Sequence, residues 1–188
     1  LNEIGVDPAR IVVGMIARYD PVKGYPVLLK AARQVLEARN DIQFVLVGKD
    51  VNEDNPALSP HLSEHFSDRI CFLGQRSDIA RLNNAFDIAI SASHSEGFPN
   101  TIGEAMACAT PCIVTDVGDC REIVGDTGAV IPPDDHHALA ETIQQMAVGT
   151  DETRRVLGQK ARVRISEHYS IATIARQYAD LFQDCLNN

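Results

Sequence analysis

The sequence is short of positive charge: 17 Lys and Arg stand against 26 Asp and Glu in 188 residues, a formal net charge of −9. Nucleic-acid partners demand Lys/Arg surfaces that neutralise phosphates, so this balance argues against them. It argues, more weakly, against direct docking of this segment on anionic lipid. Long apolar runs are missing too: none approaches the ~20 residues that cross a bilayer, and no signal peptide is visible. None of Cys71, Cys108, Cys112, Cys120 and Cys185 forms a Cys-x-x-Cys pair. Most of the five sit in apolar or strand-like contexts, which reads as reduced, buried thiols in a cytosolic protein. There is no internal repeat, no low-complexity tract, no serine–histidine–aspartate order and no Walker-type loop. His61 and His65 have His-x-x-x-His spacing without a third ligand, and Asp116 and Asp119 lack companions. The histidines, His136, His137 and His168 included, read as surface, and no metal or other cofactor is expected.

What is present is an apolar content of 45%, ample for a core, in a chain the length of one domain with appended helices. The chain starts at Leu1, and residues 1–9 read as a linker entering the first strand, so we expect a piece of a longer protein. Short, nearly continuous β-rich runs recur at 11–17, 42–47, 70–73, 88–90, 112–114 and 129–131. Runs of that kind suit strands covered on both faces. Helical spacing over 27–38, with helices also expected near 56–66, 77–84, 100–108 and 136–148, alternates with them. That alternation predicts an α/β fold: a Rossmann-like, doubly wound parallel sheet of about six strands with helices on both faces. After Gly149 the pattern is helical only, over about 151–167 and then from Ser170, a candidate N-cap, to the C-terminus.

The stretch richest in chemistry runs from Ser95 to Ala107: Ser-Glu-Gly-Phe-Pro-Asn-Thr-Ile-Gly-Glu-Ala-Met-Ala. It lies between two apolar runs and reads as strand, glycine-containing loop, helix, strand. Such loops turn backbone N–H groups and a helix N-terminus toward an anion, usually a phosphate. Glu96 and Glu104 would repel phosphate, so their natural partners are hydroxyls, and the ligand that fits both features is phosphorylated and sugar-like. At eight residues' separation they fall near one helix face. A solvated acidic face and a catalytic acid/base pair are the other readings of that spacing, and the sequence does not separate the three.

Arg18 and Lys23 follow the first strand across a Pro-containing loop, where open α/β sheets bind ligands. A guanidinium fork and a mobile ammonium there can close on a diphosphate. Solvated charge, with Lys23 opening a helix, is the plainer alternative, although a lysine at a helix start is mildly unfavourable for the dipole. Asn100 is of the right type for an N-cap, and the N–H groups of residues 100 to 102 would face the phosphate. His94, without an identified partner, reads as polar surface.

These residues together resemble the group 1 glycosyltransferases, glycosyltransferase family 4, from about Arg10 to Leu186. The resemblance is carried by motifs in order. They are Gly14-Met15-Ile16-Ala17-Arg18 with Asp20-Pro21-Val22-Lys23-Gly24, then Phe44-Val45-Leu46-Val47-Gly48, then Phe72-Leu73-Gly74. The paired-glutamate segment follows, and then Pro111, Thr115-Asp116-Val117-Gly118 and Glu122-Ile123-Val124. Ala17, Asp119 and Ala109-Thr110 depart from the commonest pattern of the family, Asp119 standing where a second glycine is frequent.

The resemblance implies the C-terminal, donor-binding half of a retaining enzyme with the two-domain B-type fold. By it, Arg18 and Lys23 hold the diphosphate of a nucleotide sugar. Glu96 accepts from the sugar hydroxyls beside the backbone of Gly97, Phe98, Pro99, Asn100 and Thr101. Glu104 takes the ribose, and the base lies between the loop at Gly48 and the Gly74–Arg76 turn. The implied partners are a nucleotide-diphosphate sugar and the missing N-terminal acceptor domain. The implied reaction is hexosyl transfer to a glycan or lipid-linked acceptor in surface polysaccharide synthesis. The implied place is the cytoplasm, peripheral to the inner face of the membrane through the missing half. The isolated segment is expected to transfer nothing. A sugar-nucleotide epimerase or hydrolase of the same architecture, and a non-catalytic nucleotide-binding module, are the alternatives.

Overall fold

Strands form where the short β-branched runs lie, and they all run the same way. The computed structural model describes residues 5–62 and 64–187. In it β1 (Ile11–Ile16), β2 (Ile42–Val47), β3 (Ile70–Phe72), β4 (Ile88–Ser91), β5 (Cys112–Thr115) and β6 (Ala129–Ile131) form one sheet in the order β3-β2-β1-β4-β5-β6. Every neighbouring pair is parallel, so the chain must cross back after each strand. Four of the five crossings use α1 (Tyr25–Ala38), α2 (Ile79–Asn83), α3 (Asn100–Ala107) and α4 (Cys120–Val124), and the one from β2 to β3 uses 3-10 turns. Three helices follow the sheet: α5 (His136–Val148), α6 (Asp151–Tyr169) and α7 (Ile171–Asn187).

Alternation along the strands sorts the core into two layers. Val13, Met15, Phe44, Leu46, Ile88 and Ile90 face one side, where α1 and α5 cover them with Leu28, Leu29, Val35, Leu139 and Ile143. Val12, Val45 and Val47 face the other, under Leu82 and Phe86. A Cβ on Gly14 would fall 2.1 Å from the Phe86 ring, so only glycine lets that ring lie on β1. Further along the same face, Ala89 and Val114 meet Ile102, Met106, Ile123, Ala161 and Ile165 of α3, α4 and α6. Thus α6 pads the sheet, whereas α7 carries Ile171, Tyr178, Leu181, Phe182 and Leu186 in the open. Val6 is buried against Val12, so the entering segment already joins the core before β1; its residues 1–4 lie outside those described.

A helix expected over 56–66 does not form. The chain instead makes 3-10 turns at Ser59–His61 and Glu64–Arg69, flanking residue 63, which lies outside those described. Pro56 and Pro60 are the reason: four residues apart and lacking N–H groups, they cannot sustain an i→i−4 ladder. Short α4, by contrast, carries too few turns for its periodicity to stand out in sequence.

Strand order reverses between β1 and β4. Connections leave these neighbours toward opposite edges of the sheet, which opens a crevice at their carboxyl ends.

Candidate active site

Both cations of the first loop are set by a turn that the sequence caps. Beyond β1 the chain enters a 3-10 turn at Pro21–Lys23, with Asp20 as its cap. Asp20 Oδ1 accepts from the Val22 N–H at 3.0 Å, and Oδ2 from the Arg18 guanidinium at 3.1 Å. Those two donors, Val22 first, hold the Asp20 carboxyl below the usual carboxylate range. Gly24 ends the turn at φ 69°, and a Cβ there would sit 1.9 Å from the Ala92 carbonyl oxygen. The turn therefore presses directly on the end of β4, where the His94 N–H donates to Val22 O at 2.8 Å. Lys23 closes this turn instead of opening α1, so the unfavourable helix-start argument for its role does not apply.

A direct contact takes that argument's place. Lys23 Nζ lies 2.6 Å from Glu96 Oε1, across the switch point. The same oxygen accepts from Ser93 Oγ at 2.7 Å. Ser93 is fully buried, and its carbonyl accepts from Thr115 Oγ1 at 2.6 Å. The loop after β5 holds the glutamate from the other side: Asp119 N–H donates to Gly97 O at 3.1 Å. Gly118, at φ 50°, comes so close that a Cβ would lie 2.0 Å from Glu96 O.

Arg18, Lys23, Ser93 and Glu96 border a cavity of about 320 Å³, floored by Met15, Ile16 and Ile90. Phe98, Pro99, Asn100 and Thr101 form its remaining wall. Asn100 is the first residue of α3 and makes no side-chain cap; Pro99 occupies the N-cap position. The Asn100 N–H donates to Phe98 O and that of Ile102 to Pro99 O, both at 3.0 Å. Among the described residues, then, Thr101 is left with the N–H that has no backbone acceptor at this end of the helix. Phe98 leans its ring on Tyr169 at the end of α6, 5.6 Å between centroids.

Other expected positions stand outside this cavity. Glu104 is exposed on α3, one turn beyond its start. A Cβ on Gly97 would meet nothing within 4 Å. Gly48 donates to Gly74 O at 2.8 Å, and a Cβ on it would meet the Ala17 carbonyl oxygen at 1.9 Å, so it packs the first loop against the β3 exit. Arg76 forms a two-pronged pair with Asp78, both contacts at 2.8 Å, beside a different hollow that Arg10 and Phe86 also line. A larger hollow, about 560 Å³, runs along α6 by Lys160 and Arg164 and contains none of the expected site residues. His94 has a partner after all, Asp134 at 2.8 Å. Burial pushes the Cys112 thiol up to about 12 and that of Cys120 to about 11, so both stay neutral packing groups. All five cysteines are free.

A cation pair, a hydroxyl-accepting carboxylate and a helix start meet at the switch point of a 3-2-1-4-5-6 sheet, and the sequence matches the family described as "Glycosyl transferases group 1" over residues 10–148. The chain belongs to the group 1 glycosyl transferases. Within that family it is 29% identical over 189 residues to the N-acetyl-alpha-D-glucosaminyl L-malate synthase of Bacillus anthracis, covering 100% of this chain and 49% of that protein. It is 28% identical over 200 residues to the lipopolysaccharide core biosynthesis mannosyltransferase LpsB of Rhizobium meliloti, covering 97% and 54%. The chain thus spans about half the length of these curated relatives. Among solved structures it resembles Anabaena Alr3699/HepE in complex with UDP and glucose, with a TM-score of 0.82 and 27% identity over 94% of this chain and 49% of that one. Its fold is also that of the C-terminal domain of the group 1 family protein LpcC from Francisella tularensis. That likeness has a TM-score of 0.74 and 24% identity, over 86% of this chain and 87% of that one.

For a group 1 glycosyl transferase, Ser93 is the residue at this site that the sequence reading passes over, whereas Thr115 and Gly118 enter that reading as motif residues without a role. Ser93 left one signal: a serine three residues before a glutamate is the spacing at which side chain and backbone, or two side chains, close a loop on themselves.

Proposed function

We propose that this chain is the donor-binding half of a retaining hexosyltransferase, and that its cavity takes the diphosphate and sugar of a nucleotide-diphosphate sugar. What supports this most is the meeting of Lys23 with Glu96 at the switch point, in a wall completed by the start of α3. Arg18, Lys23 and the Thr101 N–H are the groups suited to the diphosphate, and Glu96 to the sugar hydroxyls. The bond from the anomeric carbon to the diphosphate oxygen breaks, and its electron pair leaves with the diphosphate. The two cations and the helix N-terminus stabilise the charge that develops there, without a resident metal. The acceptor hydroxyl oxygen then bonds to the anomeric carbon on the face the diphosphate left, and its proton passes to the departing diphosphate oxygen. About 320 Å³ is near the lower limit for a ligand pocket, which fits a cleft that a companion half completes. The base and ribose would extend past the cavity toward Gly48, Gly74, Arg76 and Glu104.

A cytoplasmic role in surface polysaccharide synthesis, with membrane contact made by the companion half, belongs to the same proposal. Among the described residues no helix is long and apolar enough to cross a membrane. The test is calorimetric titration of the chain with UDP-, GDP- and ADP-linked sugars. One nucleotide sugar is expected to bind, with no sugar transfer to an added acceptor until the companion half is present. Failure of every nucleotide and nucleotide sugar to bind would overturn the proposal.

A further inference from the structure

Glu96 is held by one oxygen only. Oε1 takes both the Lys23 ammonium, at 2.6 Å, and the Ser93 hydroxyl, at 2.7 Å. No described residue donates to Oε2, and that atom is not sealed in the interior. A carboxylate gripped at one oxygen presents the other in a fixed direction, as recognition of a hydroxyl requires.

The two grips differ in kind. Lys23 is a flexible ammonium that also faces the cavity, where a diphosphate would compete for it. Ser93 has no such freedom: it is fully buried, three residues from Glu96, and its carbonyl is fixed by Thr115 Oγ1. Its single hydroxyl proton goes to the carboxylate, which can only accept. In the 3.4 Å contact between the Ser91 and Ser93 hydroxyls, Ser91 must therefore be the donor. A short line of hydroxyls, Ser91 to Ser93 to Glu96, thus runs from the end of β4 into the cavity.

We infer that Ser93 is the positioning residue for sugar recognition: it keeps Glu96 aimed at the donor sugar when the diphosphate draws Lys23 away. This rests on the nucleotide-sugar reading of the cavity. Ser93 borders the cavity but is fully buried and spends its hydroxyl proton on Glu96, so its loss should weaken binding of the sugar portion and leave the nucleotide portion alone.

The experiment is a calorimetric comparison of UDP, GDP and ADP with their glucose and N-acetylglucosamine conjugates on wild type, Ser93→Ala and Ser93→Cys. Cysteine keeps nearly the volume of serine but offers only a weak donor, so it carries the test should the alanine variant melt. Wild type should bind one nucleotide sugar more tightly than its bare diphosphate. Both variants should lose about tenfold in that affinity, the usual worth of a hydrogen bond to a charged group, and stay within about twofold for the diphosphate. Equal losses for both ligands, or no loss in either variant, would overturn the role of Ser93 while leaving the nucleotide-sugar reading intact. Wild-type protein that binds no nucleotide, or gains nothing from the sugar, would overturn that reading and this inference with it.

Discussion

Lys23 has two partners that compete for one ammonium group. At 2.6 Å from Glu96 it neutralises a carboxylate whose side chain is only 12% exposed, and it also borders the cavity proposed for the diphosphate. Arg18 borders the same cavity, but its side chain is 67% exposed and rests on Asp20. Charge stabilisation by a desolvated group exceeds that by a solvated one, because water screens the second. In the longer protein Lys23→Ala should therefore cut turnover in the transfer proposed above about 10²- to 10³-fold. Arg18→Ala should cost no more than a tenth of that. Steady-state kinetics on the two variants decides it: near wild-type turnover for Lys23→Ala, or a larger loss for Arg18→Ala, would refute the ranking. Sequence alone made both cations candidates, because strand-end loops in α/β sheets bind ligands. It did not rank them, since the ranking depends on which cation the fold brings to Glu96, a residue 73 positions further along the chain.

At the level of elements, the glutamate loop is shaped by its neighbour as much as by its own residues. Gly97 stands in the motif itself, yet a Cβ there would meet nothing within 4 Å. Gly118, from the loop after β5, has φ 50° and would place a Cβ 2.0 Å from Glu96 O. Replacing it with alanine combines a left-handed backbone with a clash against main chain, which has little room to yield. Gly118→Ala is expected to destabilise the chain by about 1–3 kcal/mol, and Gly97→Ala by less than about 0.5 kcal/mol, in urea melts. Equal midpoints for the two would show that the β5 loop does not brace the glutamate loop. The elements also mark how far the sequence could be read. All six strands were legible, because buried parallel strands are continuous apolar runs. Residues 56–66 depart from the expected helix because Pro56 and Pro60 lack N–H groups that its ladder needs. Gly118 stands in a quoted motif without a role, and Ser93 left only its spacing to Glu96, because the importance of both lies in contacts that the fold makes between loops.

Among the described residues an apolar surface along α7 is largely uncovered. Ile171, Ile174, Tyr178, Leu181, Phe182 and Cys185 fall at helical spacing along α7, and of these Ile171, Tyr178, Leu181 and Phe182 are 56% to 90% exposed. A stripe of that length on a helix is a face made for packing. The chain spans about half the length of its curated relatives, which leaves a further half as the candidate cover of this face. If so, α7 adds almost nothing to the stability of the 188-residue chain but a good deal to the longer protein. Phe182→Asp should then change the urea midpoint of this chain by the equivalent of less than about 0.5 kcal/mol. In the full-length protein the same substitution would bury a carboxylate against apolar surface and delete an aromatic anchor, with a cost of about 2–4 kcal/mol. Two small effects would place the companion half elsewhere. Two large ones would mean that α7 already packs within this chain.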